Sequence, residues 1–131
     1  MDFLNDATYV DQAEKVILDL KNQTDNRGKP IQMVTTSKIR NILAMAADIY
    51  DNAMQSNSNE LNSDVSSRIE YLRVRMIYEA GRDRTVKDFV EKSHLLDYCK
   101  MINADKKRYI LFYRYLEALI AFHKFNGGKE N

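Results

Sequence analysis

The last apolar segment of the chain constrains the fold more than any other feature. Between residues 112 and 125, apolar side chains cover almost the whole circumference of a helix at about 100° per residue. A helix that is apolar on nearly every side is buried on nearly every side. The segment from about Ala104 to Phe125 is therefore predicted to be the central helix of a bundle. Its narrow polar stripe holds Lys106, Arg114, Glu117, Ala121 and Lys124.

Four further segments have the apolar spacing of amphipathic helices and are expected to pack around the central helix. The first runs from about Thr8 to Asn22, the second begins at Thr35 to Ser37, and the third runs from Asn62 or Ser63 to Gly81. The fourth begins at Thr85, and its apolar face shifts by about 160° beyond Ser93, which predicts a break near residues 93–96. Hydroxyl side chains at 35–37 are expected to cap the second helix.

Length and composition predict one all-α domain over residues 1–131, a compact bundle of about five helices. Glycine and proline are few, with 4 and 1 residues, and no segment alternates like a strand. The single cysteine, Cys99, excludes an intrachain disulfide and is expected to be a buried thiol. No apolar run reaches the roughly 18 residues of a membrane span, and the first residues lack the basic head of a secretion signal. The protein is expected to be cytoplasmic, with no membrane partner.

Charge is distributed unevenly along the chain. Residues 1–63 carry 6 basic and 9 acidic groups, whereas residues 64–131 carry 14 basic and 10 acidic groups. On the third helix, Arg68, Arg75 and Arg82 recur every seven residues and so line one flank, with Tyr71 and Tyr78 beside them. Guanidinium groups can meet phosphates while aromatic rings stack on bases, which suits single-stranded RNA. Alternatively, Arg75 pairs with Glu79 and the tyrosines form a packing surface.

The start of the second helix offers another place for a phosphate. Ser37 and the neighbouring backbone amides lie at the positive end of that helix, with Lys38 beside them. The alternative is that the hydroxyl only caps the helix.

Catalysis is poorly supported by the residues. The chain has only two histidines, His94 and His123, and it has neither a glycine-rich phosphate loop nor a convincing metal-ligand spacing. His123 projects from the apolar arc of the last helix and is expected to be packed. We predict no enzyme activity, no metal and no cofactor. A metal-dependent hydrolase that uses Glu117 and His123 is the catalytic alternative.

Three blocks together resemble a known family. They are TTSKIRNIL at 35–43, YLRVRMIYEAGRD at 71–83 and YLEALIAFHKFNGGK at 115–129. In order, spacing and intervening helices they are similar to the small helical subunit of the type III-A CRISPR effector, the Csm complex. The chain departs from the family pattern at Asn126, where an aromatic residue is expected before the glycine pair.

The resemblance implies a non-catalytic subunit for antiviral defence, present in several copies and stacked beside other Csm subunits along guide RNA and single-stranded target RNA. It also implies a basic surface that contacts the RNA backbone without sequence preference. The residues predicted to bind RNA are Ser37, Lys38, Arg40, Arg68, Arg73, Arg75, Arg82, Arg84, Lys124 and Lys129. Stacking on neighbouring copies needs exposed apolar residues, and Tyr71, Val74 and Tyr78 are candidates both for that contact and for contact with RNA. The alternative is a scaffold subunit with no direct RNA contact.

Overall fold

A computed structural model of the chain describes residues 1–131 and contains six helices. They are α1 (Tyr9–Lys21), α2 (Thr36–Met54), α3 (Ser63–Arg82), α4 (Arg84–Ser93), α5 (Leu95–Lys100) and α6 (Lys106–Phe125). Outside the helices, the only strand-like pairings are isolated antiparallel bridges between Thr24 and Pro30 and between Glu60 and Asp105. The all-helical prediction is confirmed, with six helices in place of about five. None of these helices has the length and apolar character that crossing a bilayer requires.

Three of the helices begin with a side chain that accepts a hydrogen bond from a first-turn amide. Asn62 accepts from the amide of Val65 at 2.9 Å at the start of α3. Asp83 does the same for α4, and Asp105 for α6. These caps satisfy amides that have no partner inside the helix. Between α4 and α5, His94 lies in the left-handed region at φ 59°, so α4 ends at Ser93 and α5 begins at Leu95.

Helix α2 lacks such a side-chain cap, contrary to the expectation for residues 35–37. Thr35 occupies the capping position but its hydroxyl makes no capping hydrogen bond. Instead, the chain reverses at Gly127, which has φ 81°, and returns to the start of α2. The amide of Thr36 donates to the Lys129 carbonyl at 2.8 Å, and the amide of Ser37 donates to the Glu130 carbonyl at 3.0 Å. Backbone carbonyls of the C-terminal segment, residues 127–131, therefore accept the first-turn amide hydrogens that the hydroxyls of residues 35–37 were expected to bind.

Helix α6 supplies the largest buried side chains of the core, among them Tyr109, Phe112 and Tyr115. It packs against α1 and α2 along its length and meets α5, while α3 packs chiefly against α2, α4 and α5. The phenol groups remain hydrogen bonded, since Tyr109 donates to the Ala46 carbonyl at 2.7 Å and Tyr115 donates to the Ser93 carbonyl at 2.9 Å. The core thus joins all the helices in a single cluster of 29 buried residues.

Candidate nucleic-acid interface

Several predicted RNA-binding residues lie at one end of the molecule, where α2 begins and where α3 and α6 end. Ser37, Lys38 and Arg40 come from the first turn of α2, and Lys124 comes from the last turn of α6. They meet because the C-terminal segment crosses between these two helix ends. Their environment is set by that segment and by Asp83, which follows α3.

The backbone amides at the start of α2 are not free to bind a phosphate in the structure. Both the amide and the hydroxyl of Ser37 donate to the Glu130 carbonyl, at 3.0 and 2.7 Å. The hydroxyl of the neighbouring Thr36 is 3.2 Å from the Lys129 carbonyl. Ser37 is thus hydrogen bonded to the chain's own C-terminal segment.

The carboxylate of Glu130 bridges two of the predicted cations. Its Oε2 atom lies 3.1 Å from Nη1 of Arg40, and its Oε1 atom pairs with the ammonium group of Lys124. No other carboxylate forms an ion pair with Arg40 or Lys124, and the side chain of Lys129 forms none at all. Glu130 is therefore the local counter-charge for this part of the surface.

Lys38 is paired with Asp83, a residue that also caps α4. The Asp83 carboxylate accepts from the amide of Thr85 at 2.9 Å and from its hydroxyl at 2.7 Å. The hydrogen bond from Lys38, with those from Thr85, lowers the pKa of Asp83 to about 2. Lys38 thus ties the start of α2 to the α3–α4 corner.

An open groove between α2 and α3 brings Lys38 and Arg75 together. The groove has a volume of about 280 Å³, and Glu79 is also among its lining residues. Its floor is apolar, formed by Ile42, Met45 and Val86. Two cations from different helices thus face one concave surface.

The arginine flank of α3 is paired with acidic residues of the same helix. Arg75 lies 3.1 Å from Glu79, Arg82 lies 3.9 Å from the same carboxylate, and Arg68 lies 3.2 Å from Asp64. Each arginine of this flank therefore has a carboxylate of the same helix beside it, and the alternative pair of Arg75 with Glu79 is present. These pairs are solvent-exposed, and such pairs contribute only about 0 to 1 kcal/mol each.

The ring of Tyr78 lies between two of these arginines. The guanidinium carbons of Arg75 and Arg82 are 5.2 and 5.8 Å from the ring centroid, within the range of cation–π contact. Tyr78 nevertheless remains 55% exposed, and Tyr71 and Val74 on the same side of α3 are 62% and 54% exposed. Guanidinium groups and an accessible aromatic ring thus form one continuous surface beside the groove.

These features can be compared with known proteins. The family model described as Csm2 Type III-A matches residues 14–129. The chain belongs to the Csm2 family of type III-A CRISPR systems. It is 42% identical over 130 residues to a CRISPR system Cms protein Csm2 of Streptococcus thermophilus, covering 99% of this chain and 100% of that protein.

Similarity to other Csm2 proteins also extends over most of the chain. A Csm2 of Enterococcus italicus is 37% identical over 120 residues, which cover 86% of this chain and 85% of the relative. A Csm2 of Mycobacterium tuberculosis is 33% identical over 126 residues, covering 93% of this chain and 94% of the relative. The resemblance of the three sequence blocks to the type III-A small subunit is thereby confirmed.

Two arginines of the chain lie apart from the groove. Arg73 pairs with Glu70 at 3.3 Å, on the flank of α3 that faces Cys99. Cys99 is buried as predicted, and burial raises the pKa of its thiol to about 12. Arg84 pairs with Asp88 and donates to the Gln32 carbonyl at 3.3 Å, so it supports the segment that leads into α2.

The two residues of the hydrolase alternative, Glu117 and His123, do not converge in the structure. His123 is buried, with Nε2 at 2.7 Å from the Val34 carbonyl and Nδ1 at 3.1 Å from the Thr36 hydroxyl. Glu117 is exposed on the same helix and forms no ion pair. No group of three or more His, Cys, Asp or Glu side chains has a geometry that could hold a metal ion.

Sequence reasoning missed Glu130 and left Asn126 without a role. Asn126 follows the last residue of α6, and its side-chain amide donates at 2.8 Å to the Phe122 carbonyl, which also accepts from the Asn126 backbone amide. Glu130 gave no motif of its own. The available signal was the glycine pair before it, because such a pair permits the chain to reverse toward another part of the fold.

Proposed function

We propose that the chain is a non-catalytic small subunit that holds RNA by its backbone within a cytoplasmic type III-A Csm complex. Guide RNA and single-stranded target RNA are the proposed nucleic-acid partners, and other Csm subunits and further copies of the chain are the proposed protein partners. Membership of the Csm2 family supports the assembly. The convergence of Lys38 and Arg75 on one groove is the observation that carries the RNA contact.

The ion pairs around the groove are compatible with this role. Glu79 serves both Arg75 and Arg82, so the two guanidinium groups exceed the charge of their shared carboxylate. Phosphate oxygens form strong, charge-assisted hydrogen bonds with guanidinium groups. A strand in the groove would exchange weak, solvent-exposed pairs for such contacts and would need no particular base.

Protein contact is the second candidate function, and the outer face of α3 favours it. Tyr71, Val74, Ile77 and Tyr78 are each more than half exposed on this one helix. Exposed apolar side chains that cluster in this way are typical of protein interfaces. Neighbouring copies of the chain, or another subunit, would cover them.

Charge reversal at Arg75 and Arg82 distinguishes the two functions. The double variant Arg75→Glu, Arg82→Glu is expected to leave assembly of the complex intact and to weaken binding of labelled target RNA at least tenfold. Arg73→Glu, a reversal on the same helix but away from the groove, is the control, and it changes the net charge half as much as the double variant. We would measure assembly by size-exclusion chromatography and RNA binding by gel shift.

Failed assembly of the double variant, with normal RNA affinity per assembled complex, would contradict the RNA proposal and favour the scaffold function. Equal losses of RNA affinity in the double variant and in Arg73→Glu would contradict the assignment of the groove.

A further inference from the structure

One residue of the C-terminal segment, Glu130, contacts three of the residues predicted to bind RNA. Its backbone carbonyl accepts from both the amide and the hydroxyl of Ser37, at 3.0 and 2.7 Å. Its carboxylate pairs with Arg40 at 3.1 Å and with Lys124. No other residue of the chain joins the start of α2 to the end of α6 through charge.

The groups that Glu130 offers resemble those of a phosphodiester. A phosphate presents anionic oxygens that accept from backbone amides, hydroxyls and guanidinium groups. Glu130 presents a carbonyl oxygen to the amide and hydroxyl of Ser37, and an anionic oxygen each to Arg40 and Lys124. Where α2 begins and α6 ends, Glu130 thus makes the contacts with Ser37, Arg40 and Lys124 that an RNA backbone would make.

The segment is held firmly on its inner side and weakly on its outer side. Thr36 is fully buried, and its amide donates to the Lys129 carbonyl at 2.8 Å. The ion pairs of Glu130 are in contrast open to solvent, since the side chains of Arg40 and Glu130 are 58% and 43% exposed. Exposed pairs are weak and are screened by salt. Displacing Glu130 therefore breaks these exposed pairs and the two hydrogen bonds from Ser37 to its carbonyl, while Thr36 still holds Lys129.

We propose that Glu130 is an intramolecular competitor of RNA, which occupies Ser37, Arg40 and Lys124 in the free subunit and is displaced when an RNA strand binds there. This inference rests on the proposed RNA-binding function and adds an autoinhibitory contact to it. The free subunit then has reduced affinity for stray RNA. In the assembled complex, neighbouring subunits present the strand at high effective concentration, and the strand displaces Glu130.

The test compares Glu130→Gln with Asp19→Asn in the full chain. Asp19 is a matched control because its carboxylate also bridges two cations, Lys15 at 2.9 Å and Lys92 at 3.7 Å, and both variants raise the net charge by one. Binding of a fluorescently labelled single-stranded RNA is measured by anisotropy at low salt. Glu130→Gln is expected to bind about 3- to 10-fold more tightly than the wild type, because two exposed pairs no longer compete, while Asp19→Asn changes affinity less than twofold.

A third variant identifies the residues that are released. In the background Arg40→Ala, Lys124→Ala, the gain from Glu130→Gln is expected to disappear, because the freed cations are absent. Equal gains in RNA affinity in Glu130→Gln and Asp19→Asn would show that the effect comes from net charge. The proposal that Glu130 competes with RNA would then be wrong, and the proposed function would stand. RNA binding that is absent from the wild type and from every variant would overturn the proposed function and the competitor together.

Discussion

His123 is buried without an unsatisfied nitrogen, and the residue that permits this is Gly128. Because the Val34 carbonyl can only accept, Nε2 of His123 carries the proton, and Nδ1 is left to accept from the Thr36 hydroxyl. The returning chain crosses the imidazole ring so closely that a Cβ atom at Gly128 would lie 2.1 Å from it. Only glycine fits there. The sequence predicted that the last helix ends near Phe125, before the glycine pair, but the close approach depends on the tertiary position of His123.

Stability is expected to fall in weak acid because of His123. Burial lowers the pKa of the folded imidazole below its ordinary value near 6.5. The unfolded chain therefore binds a proton more readily than the folded chain, and the free energy of unfolding decreases as the pH falls below about 6.5. We expect His123→Gln to be less stable at pH 7.5 but to lose less stability than the wild type between pH 7 and pH 5, measured by urea denaturation.

His94→Gln is the matched control for this experiment, since it removes the other histidine, whose side chain is exposed. It should retain the pH dependence of the wild type. The role of His123 would be contradicted if His123→Gln and the wild type lost the same stability between pH 7 and pH 5. Asp83 does not interfere, because its effect on stability lies mainly between its ordinary pKa of 3.8 and its folded pKa of about 2.

Which cation meets which carboxylate was only partly predictable from the sequence. The pair of Arg75 with Glu79 follows from spacing, because residues four apart share a helix face. The pairs of Lys38 with Asp83 and of Arg40 with Glu130 join residues 45 and 90 positions apart and exist only because the fold brings helix ends together. Local spacing contains no information on such contacts.

At the scale of the helices, periodicity predicted where helices lie, and local backbone conformation decided where they end. The third helix was predicted from Asn62 or Ser63 to Gly81, and α3 spans Ser63–Arg82. The last helix was predicted to begin near Ala104, but α6 begins at Lys106 because Asn103 and Ala104 adopt left-handed φ angles of 49° and 59°. Asn is enriched in this conformation, but Ala is not, and one asparagine does not fix where a helix begins.

The left-handed residue between α4 and α5 gives a prediction at this scale. His94 has φ 59°, a conformation that costs an L-residue with a Cβ atom roughly 1 to 2 kcal/mol. His94→Gly is therefore expected to raise the free energy of unfolding by about 1 kcal/mol, because glycine adopts this conformation without the steric penalty. His94→Val is expected to lower it, since a β-branched side chain is disfavoured there. Both changes are measured by urea denaturation.

The glycine variant also removes an exposed contact, in which His94 Nδ1 lies 3.3 Å from Asp97. Asp97→Ala is the control, because it removes the same contact and leaves the backbone residue unchanged. A His94→Gly protein less stable than Asp97→Ala would show that the junction is not strained.

At the scale of the whole molecule, the fold gathers cations that the sequence places far apart. Lys38 lies in the acidic first half of the chain, yet it lines a groove with Arg75 from the basic second half. Charge composition shows a basic surplus only in the second half of the chain. The surface instead draws on both halves, because α2 begins where α3 and α6 end.

This arrangement predicts how binding to RNA depends on salt. For single strands, the logarithm of the association constant falls by about 0.7 for each phosphate contact per logarithmic unit of salt. With contacts from Lys38, Arg75 and Arg82, and a further contact from Arg40 or Lys124 once Glu130 is displaced, we expect a slope between about −2 and −3.

Oligo(U) and oligo(A) of equal length are expected to give the same slope, because the contacts are to phosphates. Arg75→Glu, Arg82→Glu should make the slope shallower by about 1.4, since two contacts are lost. Anisotropy titrations between 50 and 300 mM NaCl measure these slopes; a wild-type slope near zero, or an unchanged slope in the double variant, would contradict backbone binding through the groove.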